Sequence, residues 1–116
     1  MDYNAAVLAH SRWKTRLKNH LMGQEQVDPG SVAKDDQCDL GKWIYGDGKK
    51  HATLSAFADL KTKHTKFHLV AANVVNSARS RPRDKALELI DPLESEFGRA
   101  TSDVINALAA AKTLFD

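Results

Sequence analysis

The chain contains 116 residues, the usual size of one domain, and its 42 % hydrophobic and 28 % charged residues are typical of a globular protein. Its formal net charge of +2, from 17 basic and 15 acidic side chains, is too balanced to indicate a nucleic-acid partner. No apolar run approaches the roughly 20 residues that cross a bilayer, and the N-terminus lacks a signal-peptide pattern, so we expect a cytoplasmic protein with no membrane partner.

The first predicted element is an amphipathic helix that stops near Gly23. Its inward positions recur at helical spacing and comprise Ala6, His10, Trp13, Leu17 and Leu21. Residues 23–37 are polar and contain Asp28-Pro29-Gly30, a turn signal, so they predict a long loop.

A short helix is expected in CDLGKWIYGDG, which is apolar and closes with two glycines. Asp36 is its predicted N-cap. Cys38, the only cysteine of the chain, would lie near the start of this helix, where the backbone N–H groups and the helix dipole favour a thiolate.

Two longer helices complete the pattern. Residues 52–80 carry one broad apolar stripe, and Asp91-Pro92 predicts the start of the last helix, with Asp91 as its N-cap and Leu93 on its inward face. The arginines between these helices, Arg79, Arg81 and Arg83, are typical of a solvated loop. We therefore predict an all-α fold, an antiparallel four-helix bundle with a short extra helix that carries the cysteine, as a single domain over residues 1–116.

The stretch HTKFH places His64 and His68 four residues apart on the apolar stripe of the long helix. At that spacing the two side chains are neighbours, about 6 Å apart, and both imidazoles can reach one ion. Alone the motif is weak, since two core histidines that bond to the backbone would give the same pattern.

His10 and Cys38 strengthen the prediction of a metal site. A buried imidazole without a partner costs a few kcal/mol, and a shared cation would satisfy all three inward histidines. Three imidazoles and one thiolate form a closed tetrahedral set that suits Zn²⁺ better than iron or copper. A closed set leaves no position for a catalytic water, and no Glu lies between His64 and His68, so we expect no enzyme. A hemerythrin-like diiron site would need further histidines and bridging carboxylates.

The same residues carry a family resemblance. The segments HSRW (10–13), CDLGKW (38–43) and HTKFH (64–68), in this order and at these gaps, resemble the chemoreceptor zinc-binding (CZB) domain family. The match covers about residues 5–110, and only the segment in the last helix, residues 95–105, is similar more loosely. The resemblance implies a four-helix domain that binds Zn²⁺ through His10, Cys38, His64 and His68.

The resemblance also implies a biological setting. Such domains occur on bacterial chemoreceptors and diguanylate cyclases, sense zinc or thiol oxidants such as hypochlorous acid, and commonly form homodimers. No receptor or cyclase region follows in this sequence, so the output is expected in trans or from a longer chain. Cys38, on a short element, is the ligand expected to leave, whereas His20 and His51 are expected to face solvent. The alternative is a structural zinc site in a helical interaction module.

Overall fold

The computed structural model describes residues 1–115, and every regular element within them is helical. The elements in chain order are α1 (Tyr3–Ser11), α2 (Trp13–Leu21), α3 (Pro29–Val32), α4 (Asp39–Tyr45), a 3₁₀ helix (Asp47–His51), α5 (Ser55–Ala78), α6 (Arg83–Leu87) and α7 (Glu96–Leu114). The predicted all-α fold class is confirmed. None of the helices in this part of the chain has both the length and the apolar composition that crossing a membrane requires.

Side-chain contacts fix the directions of the long helices. Phe67 lies against Phe97 and Phe57 against Phe115, with ring centroids 5.7 and 6.4 Å apart, so α5 and α7 are antiparallel. Helix α1 is also antiparallel to α7, because Lys112 near the end of α7 donates to Asn4 near the start of α1. Helices α1 and α5 therefore run in the same direction, and residues 22–54, with the short helices α3 and α4, return the chain between them.

The two long stripes expected from the sequence form the core. Helix α5 buries its face from Phe57 through Ala78, and α7 buries the facing positions from Phe97 through Ala111. Small residues such as Ala71 and Ala100 lie fully buried among the larger side chains of this interface. Burial of an apolar stripe, more than helix propensity, stabilises such helices.

Two predicted helix starts are wrong. Helix α7 begins after Ser95, whose hydroxyl accepts from the N–H of Gly98, and not after Asp91. A Cβ on Gly98 would lie 2.5 Å from the carbonyl oxygen of Leu93, so the preceding chain packs directly on this glycine, and Leu93 is 77 % exposed. The N-cap of α4 is Cys38 and not Asp36.

His20 and His51 are both half-buried, and the prediction that they face solvent is wrong. His20 Nδ1 accepts from the backbone N–H of Val27 at 3.1 Å and holds the loop against the end of α2. The His51 ring stacks on Phe115, with centroids 4.5 Å apart and planes at 11°. Both imidazoles pack on neighbouring structure because each has a local partner that the helical pattern does not reveal.

Candidate metal centre

Four side chains from three parts of the chain converge at one point in the bundle. One ligand atom of each of His10, Cys38, His64 and His68 lies within 4.8 Å of the others. His10 comes from α1, Cys38 precedes α4, and the other two come from α5. The three histidines are at most 2 % exposed, so the cluster belongs to the core. All four residues singled out in the sequence are thus brought together.

Helix α5 supplies the pair His64 and His68. Their Nε2 atoms lie 3.0 Å apart, and Cys38 Sγ lies 3.2 Å from the first and 3.7 Å from the second. The spacing of one helical turn puts both rings on the same face, as expected for residues i and i+4. The pair therefore presents two nitrogens to a single position.

Backbone carbonyls orient two of the imidazoles. His68 Nδ1–H donates to the carbonyl oxygen of Val32 on α3, and His10 Nδ1–H donates to that of Ala6, one turn earlier on α1, each at 2.8 Å. A neutral imidazole that donates from Nδ1 keeps a lone pair on Nε2, and such bonds are the usual support of metal-binding histidines. Val32 was not foreseen, because a backbone carbonyl leaves no mark in a residue pattern.

Two buried nitrogens in the cluster lack a hydrogen-bond partner among the described residues. They are His10 Nε2 and His64 Nδ1. An unpaired buried polar atom costs free energy, and most such atoms in native proteins find a partner or an ion. The unpaired lone pair of His10 beside two further imidazoles fits a cation bound at this point.

Cys38 is both a member of the cluster and the N-cap residue of α4. Its Sγ accepts from the N–H of Gly41 at 3.4 Å, and its backbone is extended, as an N-cap requires. Gly41 permits the close packing of α4, since a Cβ there would lie 1.8 Å from the carbonyl oxygen of Asp35. The sulfur is thus in contact with the first turn of the short helix α4 on one side and with His64 and His68 of α5 on the other.

Burial sets the protonation of the cluster. Burial lowers the pKa of His10, His64 and His68. The pKa of His64 falls to about 3, because the neighbouring imidazoles of His68 and His10 add to the effect of burial. Burial also raises the pKa of the Cys38 thiol, although backbone N–H groups of Gly41 and Leu40 act in the opposite direction. The expected preference for thiolate from the helix terminus alone is therefore outweighed. The cluster offers three neutral nitrogen donors and a thiol that a cation would deprotonate.

A cavity of about 410 Å³ leads from the surface to the cluster. Trp13, Ser31 and Lys34 line its walls, and Cys38 and His68 border it. Cys38 is itself half-buried, so small solutes have a route to the sulfur.

The donor set matches what Zn²⁺ prefers. Zinc takes four nitrogen and sulfur ligands in tetrahedral geometry, and its structural and regulatory sites leave no position open for water. Three neutral imidazoles and one thiolate supply this number and type. The unpaired nitrogen of His10 and the backbone support of His68 fit such an ion.

Comparison with known protein families also indicates a zinc-binding domain. The family model for the chemoreceptor zinc-binding domain matches residues 10–75, which is more than half of the chain and includes all four clustered residues. Searches of curated proteins and of solved structures gave no significant match. The family is regulatory and not catalytic. The chain therefore belongs to the chemoreceptor zinc-binding domain family, as a zinc-binding domain of the sensor type with Zn²⁺ as its cofactor.

Proposed function

We propose that His10, Cys38, His64 and His68 bind one Zn²⁺ and that the whole chain, residues 1–116, acts as one cytoplasmic sensor domain. The observation that carries the proposal is the convergence of four ligand atoms within 4.8 Å, with the buried Nε2 of His10 left without another partner. When bound, Zn²⁺ would join the four side chains and hold Cys38 as a thiolate.

The four proposed ligands differ in how firmly the fold holds them. His64 and His68 lie in the middle of the 24-residue α5, His10 lies in α1, and all three rings are buried. Cys38 lies between a loop and a seven-residue helix and is only half-buried. Cys38 is therefore the ligand that leaves first when zinc is scarce.

Oxidation would release the same ligand. A thiolate reacts with hypochlorous acid to give a sulfenic acid and chloride, in which sulfur is oxidised and chlorine reduced. The cavity beside Cys38 admits a reagent of this size. The sulfenic acid is a poorer metal ligand than the thiolate, so oxidation and zinc scarcity lead to the same detached state.

Detachment of Cys38 would alter the surface of the bundle. Helix α4 buries Leu40 and Ile44 in the core, so a shift of its first turn changes how this helix packs. A second copy in a homodimer, or a chemoreceptor or diguanylate cyclase acting in trans or within a longer chain, would detect the change. In this role the domain is a regulatory protein and not an enzyme, with no nucleic-acid or membrane partner.

The competing function is a structural zinc site in an interaction module, favoured by the deep burial of the three histidines. Far-UV circular dichroism with and without EDTA separates the two. A sensor stays helical without metal, because its core does not depend on zinc, whereas a structural site loses its helices on chelation.

A second measurement tests the oxidant. Zinc-loaded protein receives increasing hypochlorous acid while a chromophoric chelator reports free Zn²⁺. We expect release at about one equivalent of oxidant, with loss of one reactive thiol per chain. Zinc that is retained after Cys38 has been oxidised would contradict the proposed role of this residue.

A further inference from the structure

A carboxylate next to the cluster connects the element that carries Cys38 to helix α5. Asp35 Oδ2 accepts a hydrogen bond from the Tyr45 hydroxyl of α4 at 2.7 Å and a second, short one from Thr65 Oγ1 of α5. We call these three residues the clasp. No sequence motif indicates it, since Asp35 and Thr65 are 30 residues apart in the chain.

The residues of the clasp lie close in sequence to the proposed ligands, but none of them is itself a ligand. Thr65 directly follows His64 on α5, and Asp35 precedes Cys38 by three residues. Among the hydrogen bonds of residues 1–115, none joins Asp35 to any of the four clustered side chains. Asp35 is connected to Cys38 through the backbone between them, and, against the larger effect of burial, its negative charge also acts to raise the pKa of the nearby His64 and His68.

The backbone of Asp35 packs directly against the first turn of α4. Its carbonyl oxygen lies so near Gly41 that a Cβ there would be 1.8 Å away. Gly41 in turn donates its N–H to Cys38 Sγ. The segment from Asp35 to Cys38 is thus fixed at one end to α5 through Thr65, and along its length to the first turn of α4.

The acceptor in the clasp, the Asp35 carboxyl group, is charged at neutral pH. Although burial acts to raise the pKa of Asp35, the hydrogen bonds from Thr65 and Tyr45 outweigh it and hold that pKa below its usual value. At neutral pH both hydroxyls therefore donate to a carboxylate, and such charge-assisted bonds are roughly twice as strong as neutral ones.

We propose that the clasp positions Cys38, and thereby sets how long the thiolate stays bound beside His64 and His68. The inference rests on the proposed zinc site. The three histidines are buried within α1 and α5, whereas Cys38 lies at the end of a loop and needs a separate anchor. The bond between Thr65 and Asp35 ties the segment of Cys38 to the helix that carries two of the ligands. Without the clasp the segment moves away more often, so the sulfur spends less time in the site.

The test compares Asp35→Ala and Thr65→Val with Asp36→Ala. Asp36 is a matched control, because it is exposed, nearer to Cys38 in sequence, and bonded only to its neighbour Gln37. Each protein is loaded with Zn²⁺, and transfer of the metal to a chromophoric chelator gives the dissociation rate. We expect Asp35→Ala and Thr65→Val to lose zinc about tenfold faster than wild type, as typical for supporting residues, and Asp36→Ala to match wild type.

A spectroscopic readout separates positioning from general stability. With Co²⁺ in place of Zn²⁺, the sulfur-to-metal charge-transfer absorption reports the bond to Cys38 alone. Asp35→Ala should weaken this band while the far-UV circular dichroism stays unchanged. Thr65→Ser, which keeps the hydroxyl, should restore both the band and the dissociation rate. The double variant Asp35→Ala/Thr65→Val should lose no more than Asp35→Ala, since both remove the same bond.

Two outcomes would overturn the clasp as a positioning device. One is a dissociation rate and a Co²⁺ band in Asp35→Ala equal to those of Asp36→Ala. The other is a Thr65→Ser variant as impaired as Thr65→Val. Wild type and His64→Ala, measured alongside, keep the two proposals apart: if wild type binds zinc no better than His64→Ala, the zinc site itself is wrong, whereas normal wild-type binding with unaffected clasp variants refutes only the clasp.

Discussion

The Nε2 atoms of His64 and His68 lie 3.0 Å apart, so the two rings present nitrogens to one point of the cluster. His68 donates from Nδ1 to Val32, so its Nε2 carries no proton and must accept. Cys38 Sγ lies 3.2 Å from His64 Nε2, and the other nitrogen of this ring, Nδ1, is buried without a hydrogen-bond partner among the described residues. A cation held by Cys38, His64 and His68 would give these closely spaced nitrogens and the sulfur one shared partner.

Zinc binding should release about one proton per chain at pH 7. The pKa of each of His10, His64 and His68 lies below 6.5, so these imidazoles are already neutral and have no proton to lose. The pKa of Cys38 is raised, so its thiol must ionise on binding. Titration calorimetry in buffers of different ionisation enthalpy measures the number of protons released. Release of two or more protons would show that at least one of the three histidines is charged beforehand.

The metal-free protein should lose stability as the pH falls below 6.5. The folded-state pKa of His64, about 3, is lower than its ordinary value of 6.5, so the unfolded chain binds the extra proton in this window. The free energy of unfolding then decreases with falling pH, by up to about 1.4 kcal/mol per pH unit for each such histidine.

Urea unfolding between pH 6.5 and 5 checks this prediction, because most carboxylates remain ionised over that range. His64→Leu serves as the control, since it removes one titrating group at the same buried position. Its pH slope should be smaller than that of wild type. Equal slopes in the two proteins would show that His64 does not resist protonation.

Replacement of Gly41 by alanine should lower the stability of the fold and weaken zinc binding. The Cβ of Gly41→Ala would meet the backbone of Asp35 at 1.8 Å, a contact that no side-chain rotation relieves. We expect a loss of about 1–3 kcal/mol in the free energy of unfolding, together with weaker zinc binding because Cys38 moves with α4.

Gly30→Ala in α3 is the comparison for this substitution. Its nearest neighbour would be the Asp28 carboxylate at 3.3 Å, a side chain that can give way. Thermal unfolding of both variants, with and without Zn²⁺, gives the two effects separately. A Gly41→Ala protein as stable as Gly30→Ala would mean that α4 can shift freely away from Asp35.

The helical pattern predicts that the three histidines face the core, which the structure confirms, but it does not predict the ends of the helices. The stripe of α5 placed His64 and His68 inward beside Phe67, and burial made a shared partner with His10 and Cys38 the simplest explanation. At the start of α7 the sequence predicts Asp91 as the cap, whereas the structure has Ser95, a second possible residue, in that role. The close packing of Gly98 on Leu93 selects the second, and only the three-dimensional contact reveals this.

Polar contacts between residues far apart in the chain could not be predicted from the sequence either. The bonds of Asp35 with Tyr45 and Thr65 join residues that share no periodic pattern, and the carbonyl of Val32 that orients His68 belongs to the backbone. Hydrophobic periodicity reports which face of a helix is buried. It carries no information on which hydroxyl or carbonyl a given side chain meets across the bundle.

Zinc content and affinity of the purified protein test the central claim most directly. Wild type should carry about one Zn²⁺ per chain, and Cys38→Ser and His64→Ala should each bind at least about 100-fold more weakly, since even supporting residues cost up to that much. His51→Ala, which alters a histidine stacked on Phe115 and outside the cluster, should bind as wild type does. Substoichiometric zinc in wild type, or undiminished affinity in both ligand variants, would contradict the account.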